Sequence, residues 1–265
     1  MKNNAIGIFD SGVGGLTVLH SIVSRLPYEN TVYVGDTARV PYGTKSARTV
    51  TQYAIGIGEF LSHIPVKALV VACNTASAFA LDALRGRFDL PIVGMIDPAA
   101  RRAVAASKNG RIGVIGTVGT VKSGAYGRAI KHISPDVEVL AHACPLFVPL
   151  AEEGWLSNDI ARLSAQKYLE PMKRHGVDTV ILGCTHYPLL KEVISEVLGE
   201  GVTLVDSGDE AALDLEGLLV DRGLHRKGGG ASHRFYVTDT PDRFVEVGES
   251  FLGGRLSDVS HVDIP

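Results

Sequence analysis

The strongest constraint on this chain is that its sequence of strands and turns is written twice. An opening apolar run, Ala5-Ile6-Gly7-Ile8-Phe9, has a counterpart in Arg111-Ile112-Gly113-Val114-Ile115. Val32–Val34 within the run Thr31–Val34 is matched by Val137–Leu140, and the strand Ala68–Ala72 by Asp178–Leu182. The run Ile92–Ile96, ending at Asp97-Pro98, is matched by Val202–Val205 and Asp206. These counterparts lie roughly 105 to 111 residues apart. Any α/β protein alternates strand with helix, so alternation alone proves little. Four strands in the same order at a nearly constant offset point further, to two similar α/β lobes.

The runs are short, apolar and separated by helical periodicity, the pattern of mainly parallel sheets. A helix from about Gly15 carries Leu16, Leu19, Ile22, Val23 and Leu26 on one face and stops at Pro27. Helices are expected from about Thr44 to Ser62 and from Ala76 to Leu84. After Asp206 come a helix-like stretch, Glu210–Leu219, a glycine turn at Lys227-Gly228-Gly229-Gly230, and a strand, Arg234–Val237. The expected arrangement returns this tail to the first lobe. That gives a discontinuous first lobe, 1–98 plus 207–265, and a second lobe, 99–206, related by a pseudo-twofold axis with a cleft between them.

The chain's 265 residues and 45% hydrophobic content suffice for two modest cores. A net charge of −3 leaves no basic footprint for nucleic acid. The longest apolar stretches are strand-sized, which argues against a membrane span. The first residues, Met1-Lys2-Asn3-Asn4, lead straight into a strand pattern without the features of a signal peptide, so a cytoplasmic location is expected. Three cysteines are an odd count for a disulfide framework, and a reducing compartment would keep them as thiols.

Two of those cysteines occupy matched places. Cys73-Asn74-Thr75 and Cys184-Thr185-His186 each follow a buried strand and precede a helix. Ligands of open α/β sheets bind at the carboxyl ends of strands, where helix N-termini favour negative charge and lower a thiol's pKa. If the lobes face each other, so do the thiols. Inverting a carbon centre by proton transfer requires a base on one face and an acid on the other, and two tunable thiols fit that need. A strand-end cysteine by itself more often packs as a small hydrophobe; the matched pair is what favours chemistry. Cys144 has no counterpart and reads as structural.

Asp10, ending the first strand beside Ser11, is a candidate proton acceptor from a thiol or a substrate ammonium; the competing reading is a cap for the following helix. His186, two residues after Cys184, is a candidate base. Asp36 and Glu152 are weaker candidates, since most such acids are solvated. Gly12-Val13-Gly14-Gly15 suggests a dinucleotide turn, but Thr17 stands where the third glycine belongs and Asp10 would repel a pyrophosphate. Cys73, Cys144, Cys184 and His186 lack the spacing of a zinc site, and no lysine motif points to a Schiff-base cofactor.

Ile8-Phe9-Asp10-Ser11-Gly12-Val13-Gly14-Gly15-Leu16-Thr17, Pro41-Tyr42-Gly43, Ala72-Cys73-Asn74-Thr75-Ala76-Ser77 and Leu182-Gly183-Cys184-Thr185-His186-Tyr187-Pro188 closely resemble the signature segments of bacterial glutamate racemases. The likeness continues through Ala143–Leu150 and Val205-Asp206-Ser207, nearly the whole chain. It implies a cofactor-independent, two-lobed and often dimeric enzyme that makes D-glutamate for peptidoglycan. By the same resemblance Cys73 and Cys184 exchange the α-proton, and the placement of the residues makes Asp10 the expected helper of Cys73 and His186 that of Cys184. Substrate contacts would come from Asp10, Ser11, Tyr42, Gly43, Asn74, Thr75, Thr185 and His186. No cofactor and no metal are expected. An aspartate racemase of the same superfamily, and a non-catalytic two-lobed amino-acid binding protein, remain the alternatives. Some family members carry an N-terminal extension serving activation by a cell-wall precursor, whereas here the first strand follows Met1 almost at once.

Overall fold

A computed structural model describes residues 1–265. The chain first forms β1 (Ala5–Asp10), α1 (Leu16–Arg25), β2 (Thr31–Gly35), α2 (Ala47–Ser62), β3 (Val66–Val71), α3 (Asn74–Arg87) and β4 (Ile92–Gly94). It continues through α4 (Ile96–Ala106), β5 (Arg111–Gly116), α5 (Val118–Ser123), α6 (Ala125–Ile133), β6 (Glu138–Ala143), α7 (Phe147–Glu152), α8 (Asp159–His175), β7 (Thr179–Gly183), α9 (Lys191–Leu198) and β8 (Thr203–Asp206). The last elements are α10 (Ser207–Asp221), β9 (His233–Val237), α11 (Pro241–Leu252) and β10 (Val259–His261). Two sheets result, ordered β10-β9-β2-β1-β3-β4 and β6-β5-β7-β8, with every neighbouring pair parallel. The repeat in the sequence is therefore a repeat of topology, since β2-β1-β3-β4 and β6-β5-β7-β8 have the same order. β9 and β10 add to the first sheet beyond β2, where the second sheet stops at β6.

Parallel strands with helices on both faces must be apolar at every position. β1, β2 and β3 are buried along their whole lengths. Ile6 and Ile8 pack with the buried faces of α1, α10 and α11, while Ala5 and Phe9 pack with those of α2 and α3. In the second lobe Ile115, Val180 and Leu182 meet α8 and α9, and Ile112, Val114 and Ile181 meet α4 and α6. A fully buried ion pair staples the first lobe. Lys67 on β3 donates to Glu29, to the Lys2 carbonyl at 2.8 Å and to the Leu224 carbonyl at 2.9 Å, so all three ammonium protons are used. Glu29 also accepts the Arg226 N–H at 2.8 Å.

Several boundaries differ from the sequence reading, α3 and α10 running longer at both ends and β6 reaching Ala143, and two of the differences change what a residue does. The run expected as strand through Ile96 ends at Gly94, and Ile96 opens α4. Ile96, Ala99, Ala100 and Ala103 follow helical spacing and are buried under the second sheet. Asp97 thus sits in the first turn of a helix, where a carboxylate is favoured, and not at a strand end. The second helix starts at Ala47, later than Thr44, because Tyr42–Thr44 forms a 3-10 turn and Ser46 caps the helix by accepting the Thr49 N–H at 3.2 Å. No helix is long and apolar enough to cross a membrane.

Candidate active site

β3 and β7 occupy equivalent places in their sheets, and each releases a cysteine into the same cleft. Its walls include Ser11, Tyr42, Gly43, Cys73, Asn74, Thr75, Cys184, Thr185 and His186, enclosing about 180 Å³. A dry cavity of about 150 Å³ admits benzene, so this volume suits a small molecule. No lysine or arginine lines it, and Glu152 is its one carboxylate. An anionic ligand would accordingly be held by backbone N–H groups, hydroxyls and amides.

The cysteines are not equivalent. Cys73 is the N-cap of α3, its sulfur accepting the Ala76 N–H at 3.4 Å, and its thiol faces the Ser11 hydroxyl at 3.8 Å. Burial, and then the nearby Asp10 carboxylate, push this thiol up to about 12, outweighing the Ala76 and Ser11 hydrogen bonds. The helix N-terminus does lower it, as expected, through the Ala76 N–H, but at Cys73 desolvation outweighs that contribution. Cys184 precedes no α-helix directly. Pro188 lies in a 3-10 turn, Tyr187–Leu190, before α9 begins, so its sulfur lacks the cap that Cys73 enjoys. Its polar neighbour is the His186 Nδ1, 3.9 Å away.

His186 bridges Cys184 to Glu152, whose carboxylate lies 2.9 Å from Nε2, and its ring packs edge-on against Phe251. Burial alone would lower the imidazole pKa; the Cys184 and Glu152 contacts more than reverse that and raise it to about 10. Glu152 is therefore no merely solvated acid. Nor is Asp36, which is fully buried, accepts Arg39 Nε at 2.8 Å and the Thr238 hydroxyl at 2.8 Å, and anchors the Tyr42 hydroxyl. It braces the cleft wall through Tyr42.

Asp10 lies behind the cleft wall. One carboxyl oxygen accepts the Gly12 N–H at 2.9 Å, and the other is buried without a partner. Burial raises its pKa above the usual carboxylate value. It does not cap α1, whose N-cap is Gly15 with no side-chain bond. Cys144 is buried against the same core as Cys184 but away from the cleft wall, and no metal-binding cluster of His, Cys, Asp or Glu exists.

Gly14 owes its presence to packing between lobes: a Cβ there would collide with the Thr185 hydroxyl and the His186 ring. Thr17, on the next turn, donates to the Thr185 carbonyl at 2.8 Å. The residues that resemble a phosphate turn thus serve to bring the second cysteine loop close. Thr117, Pro145, Val148 and Pro149 also line the cleft but were not named as site residues from sequence, and Glu152 was only a weaker candidate. Thr117 could have been found from the repeat, because it follows β5 as Ser11 follows β1. Nothing local distinguishes Glu152 from its neighbour Glu153.

Comparison with known proteins places this geometry in context. A family model described as Asp/Glu/Hydantoin racemase matches residues 6–215. The chain is 57% identical to a glutamate racemase of Geobacter metallireducens, over 100% of this chain and 98% of the relative. It superposes on the glutamate racemase isoform RacE1 of Bacillus anthracis with a TM-score of 0.97 at 41% identity, covering 100% of this chain and 99% of the other. A glutamate racemase of Francisella tularensis, solved in complex with D-glutamate, matches with a TM-score of 0.94 at 38% identity, over 100% and 99% of the two chains.

Proposed function

The chain belongs to the Asp/Glu/Hydantoin racemase family, and from that premise we propose that it interconverts L- and D-glutamate by proton transfer between Cys73 and Cys184. The observation that carries this reading is the pair of thiols at equivalent strand ends lining one cleft. The complex of a 38% identical relative with D-glutamate supports the choice of substrate. In each direction one sulfur, as thiolate, takes the α-proton and the other, as thiol, gives its proton to the opposite face. The product leaves with the two protonation states exchanged. No cofactor is needed for this exchange, because both acid and base are side chains.

The local electrostatics divide the work. Cys73, high in pKa, is the resting proton donor. Cys184 has the His186 imidazole beside it, which can accept or return a proton as the sulfur changes state. Asp10 assists Cys73 from behind the cleft wall, where its unpartnered buried oxygen can take a proton. Glu152 keeps His186 oriented and charged. Ser11, Tyr42, Gly43, Asn74, Thr75 and Thr185 form the binding walls, with amides and hydroxyls taking the carboxylates. Enclosure of the cleft limits exchange of the transferred proton with water.

On this reading D-glutamate feeds peptidoglycan synthesis, and the protein works in the cytoplasm as a homodimer. Three free, buried cysteines suit a reducing compartment. The test is each glutamate enantiomer in heavy water: optical activity should vanish and product should carry deuterium at Cα. Full racemase activity in both Cys73→Ala and Cys184→Ala would overturn the mechanism. Faster turnover of aspartate than of glutamate would overturn the substrate.

A further inference from the structure

Tyr126 touches both cysteine loops at once. It lies on α6 in the second lobe and is buried. Its hydroxyl donates to Asn74 Oδ1 at 2.6 Å, and Asn74 is the residue immediately after Cys73. Its ring lies against Gly183, the residue immediately before Cys184: a Cβ at Gly183 would come 3.0 Å from the ring edge and 2.7 Å from the Ile115 carbonyl. Glycine at 183 is what lets the aromatic ring reach the strand end.

The hydroxyl also settles which way the Asn74 amide faces. Asn74 Nδ2 donates to the Ser207 hydroxyl at 3.3 Å, and Ser207 passes its own proton to the Leu182 carbonyl at 3.0 Å. Turning the amide over would present its oxygen to Ser207 and draw that proton away from Leu182. It would also present N–H to the tyrosine, whose remaining acceptor, the Met95 carbonyl, is at 3.5 Å. The observed direction makes the better bonds throughout. An amide nitrogen carries two protons. One goes to Ser207, and the other has no partner within the protein, while Asn74 itself lines the cleft.

We infer that Tyr126 is a positioning residue for racemisation, fixing the Asn74 amide with one N–H available to a substrate carboxylate and propping the residue before Cys184. This rests on the racemase reading above. The hydroxyl and the ring separate the two roles. Tyr126→Phe keeps the prop and frees the amide, so KM should rise about tenfold for both enantiomers with kcat within about twofold. Tyr126→Leu removes the prop as well, and kcat should fall too. L- and D-glutamate are equal in free energy, so kcat/KM must fall equally in the two directions.

The deciding experiment is a double-mutant cycle of Tyr126→Phe with Asn74→Ala, assayed with both enantiomers and accompanied by thermal melts. Tyr126→Phe should raise KM in the native background and add nothing once the Asn74 amide is gone. An unchanged KM in the single variant, or full additivity in the cycle, overturns the inference. If Tyr126→Phe melts early, Ser207→Ala breaks the same chain of hydrogen bonds from its other end. It should give the same rise in KM, and an unchanged KM there overturns the inference too. An inactive native chain would sink the racemase reading and this inference with it. An active native chain with an unaffected Tyr126→Phe sinks this inference alone.

Discussion

Cys73 and Cys184 sit at the same place in two copies of one topology, yet their surroundings have opposite electrostatic character. Behind Cys73 lies a buried carboxyl, Asp10, with one oxygen unpartnered. Beside Cys184 stands an imidazole held charged by Glu152. The first environment keeps a thiol protonated; the second places an imidazole within reach of the sulfur. A duplicated fold supplies symmetry of position, and the side chains around each strand end make the two sulfur environments different.

The most drastic way to break this comparison is to remove one sulfur. Cys73→Ala or Cys184→Ala should each lower racemisation by about a thousandfold or more, read by polarimetry, because inversion needs a group on both faces. Replacing the imidazole comes next: His186→Asn should cost about a hundredfold in kcat/KM. Because the reaction joins two species of equal free energy, the loss must be the same from L- and from D-glutamate; unequal losses would mean that something other than racemisation is being measured. Asp10→Asn keeps the shape of the first environment but removes the titrating oxygen, and should cost about tenfold to a hundredfold in the same assay.

The pH dependence sharpens the same contrast. The His186 pKa is raised to about 10 from 6.5, so the stability it contributes is fully present below pH 6.5 and lost as pH rises through about 10. Melts of the native chain should therefore weaken across that window, and melts of Glu152→Gln, which removes one of the raising contacts, should show a smaller loss that is complete at lower pH. A control outside both cysteine environments concerns the first lobe alone. Lys67→Met leaves Glu29 charged and unpaired in the interior and should cost about 3–5 kcal/mol in denaturant unfolding, without altering the shape of the pH–rate profile.

Much of the fold was legible because burial leaves a local trace. Continuous apolar runs gave β1, β3, β5 and β7 to within two residues, and the repeat placed Cys73 and Cys184 at matching ends. Boundaries failed where one local signal overlapped the next: Ile96 is apolar enough to continue a strand, and only its partners Ala99, Ala100 and Ala103 under the second sheet make it helical. Gly14 looked like part of a phosphate turn because a glycine-rich loop carries no mark of what approaches it. What approaches is His186, from 172 residues away in a separate lobe.

By itself, then, the sequence determined the two-lobed α/β plan and the pair of thiols, since hydrophobic periodicity and repeated order are written along the chain. Only the tertiary structure decided how the thiols differ. Glu152 on His186, the orphaned oxygen of Asp10 and the bridge from Tyr126 to Asn74 join residues that are distant in sequence. A side chain's charge state depends on desolvation and on neighbours within a few ångströms, and those exist only once the two lobes have closed on each other.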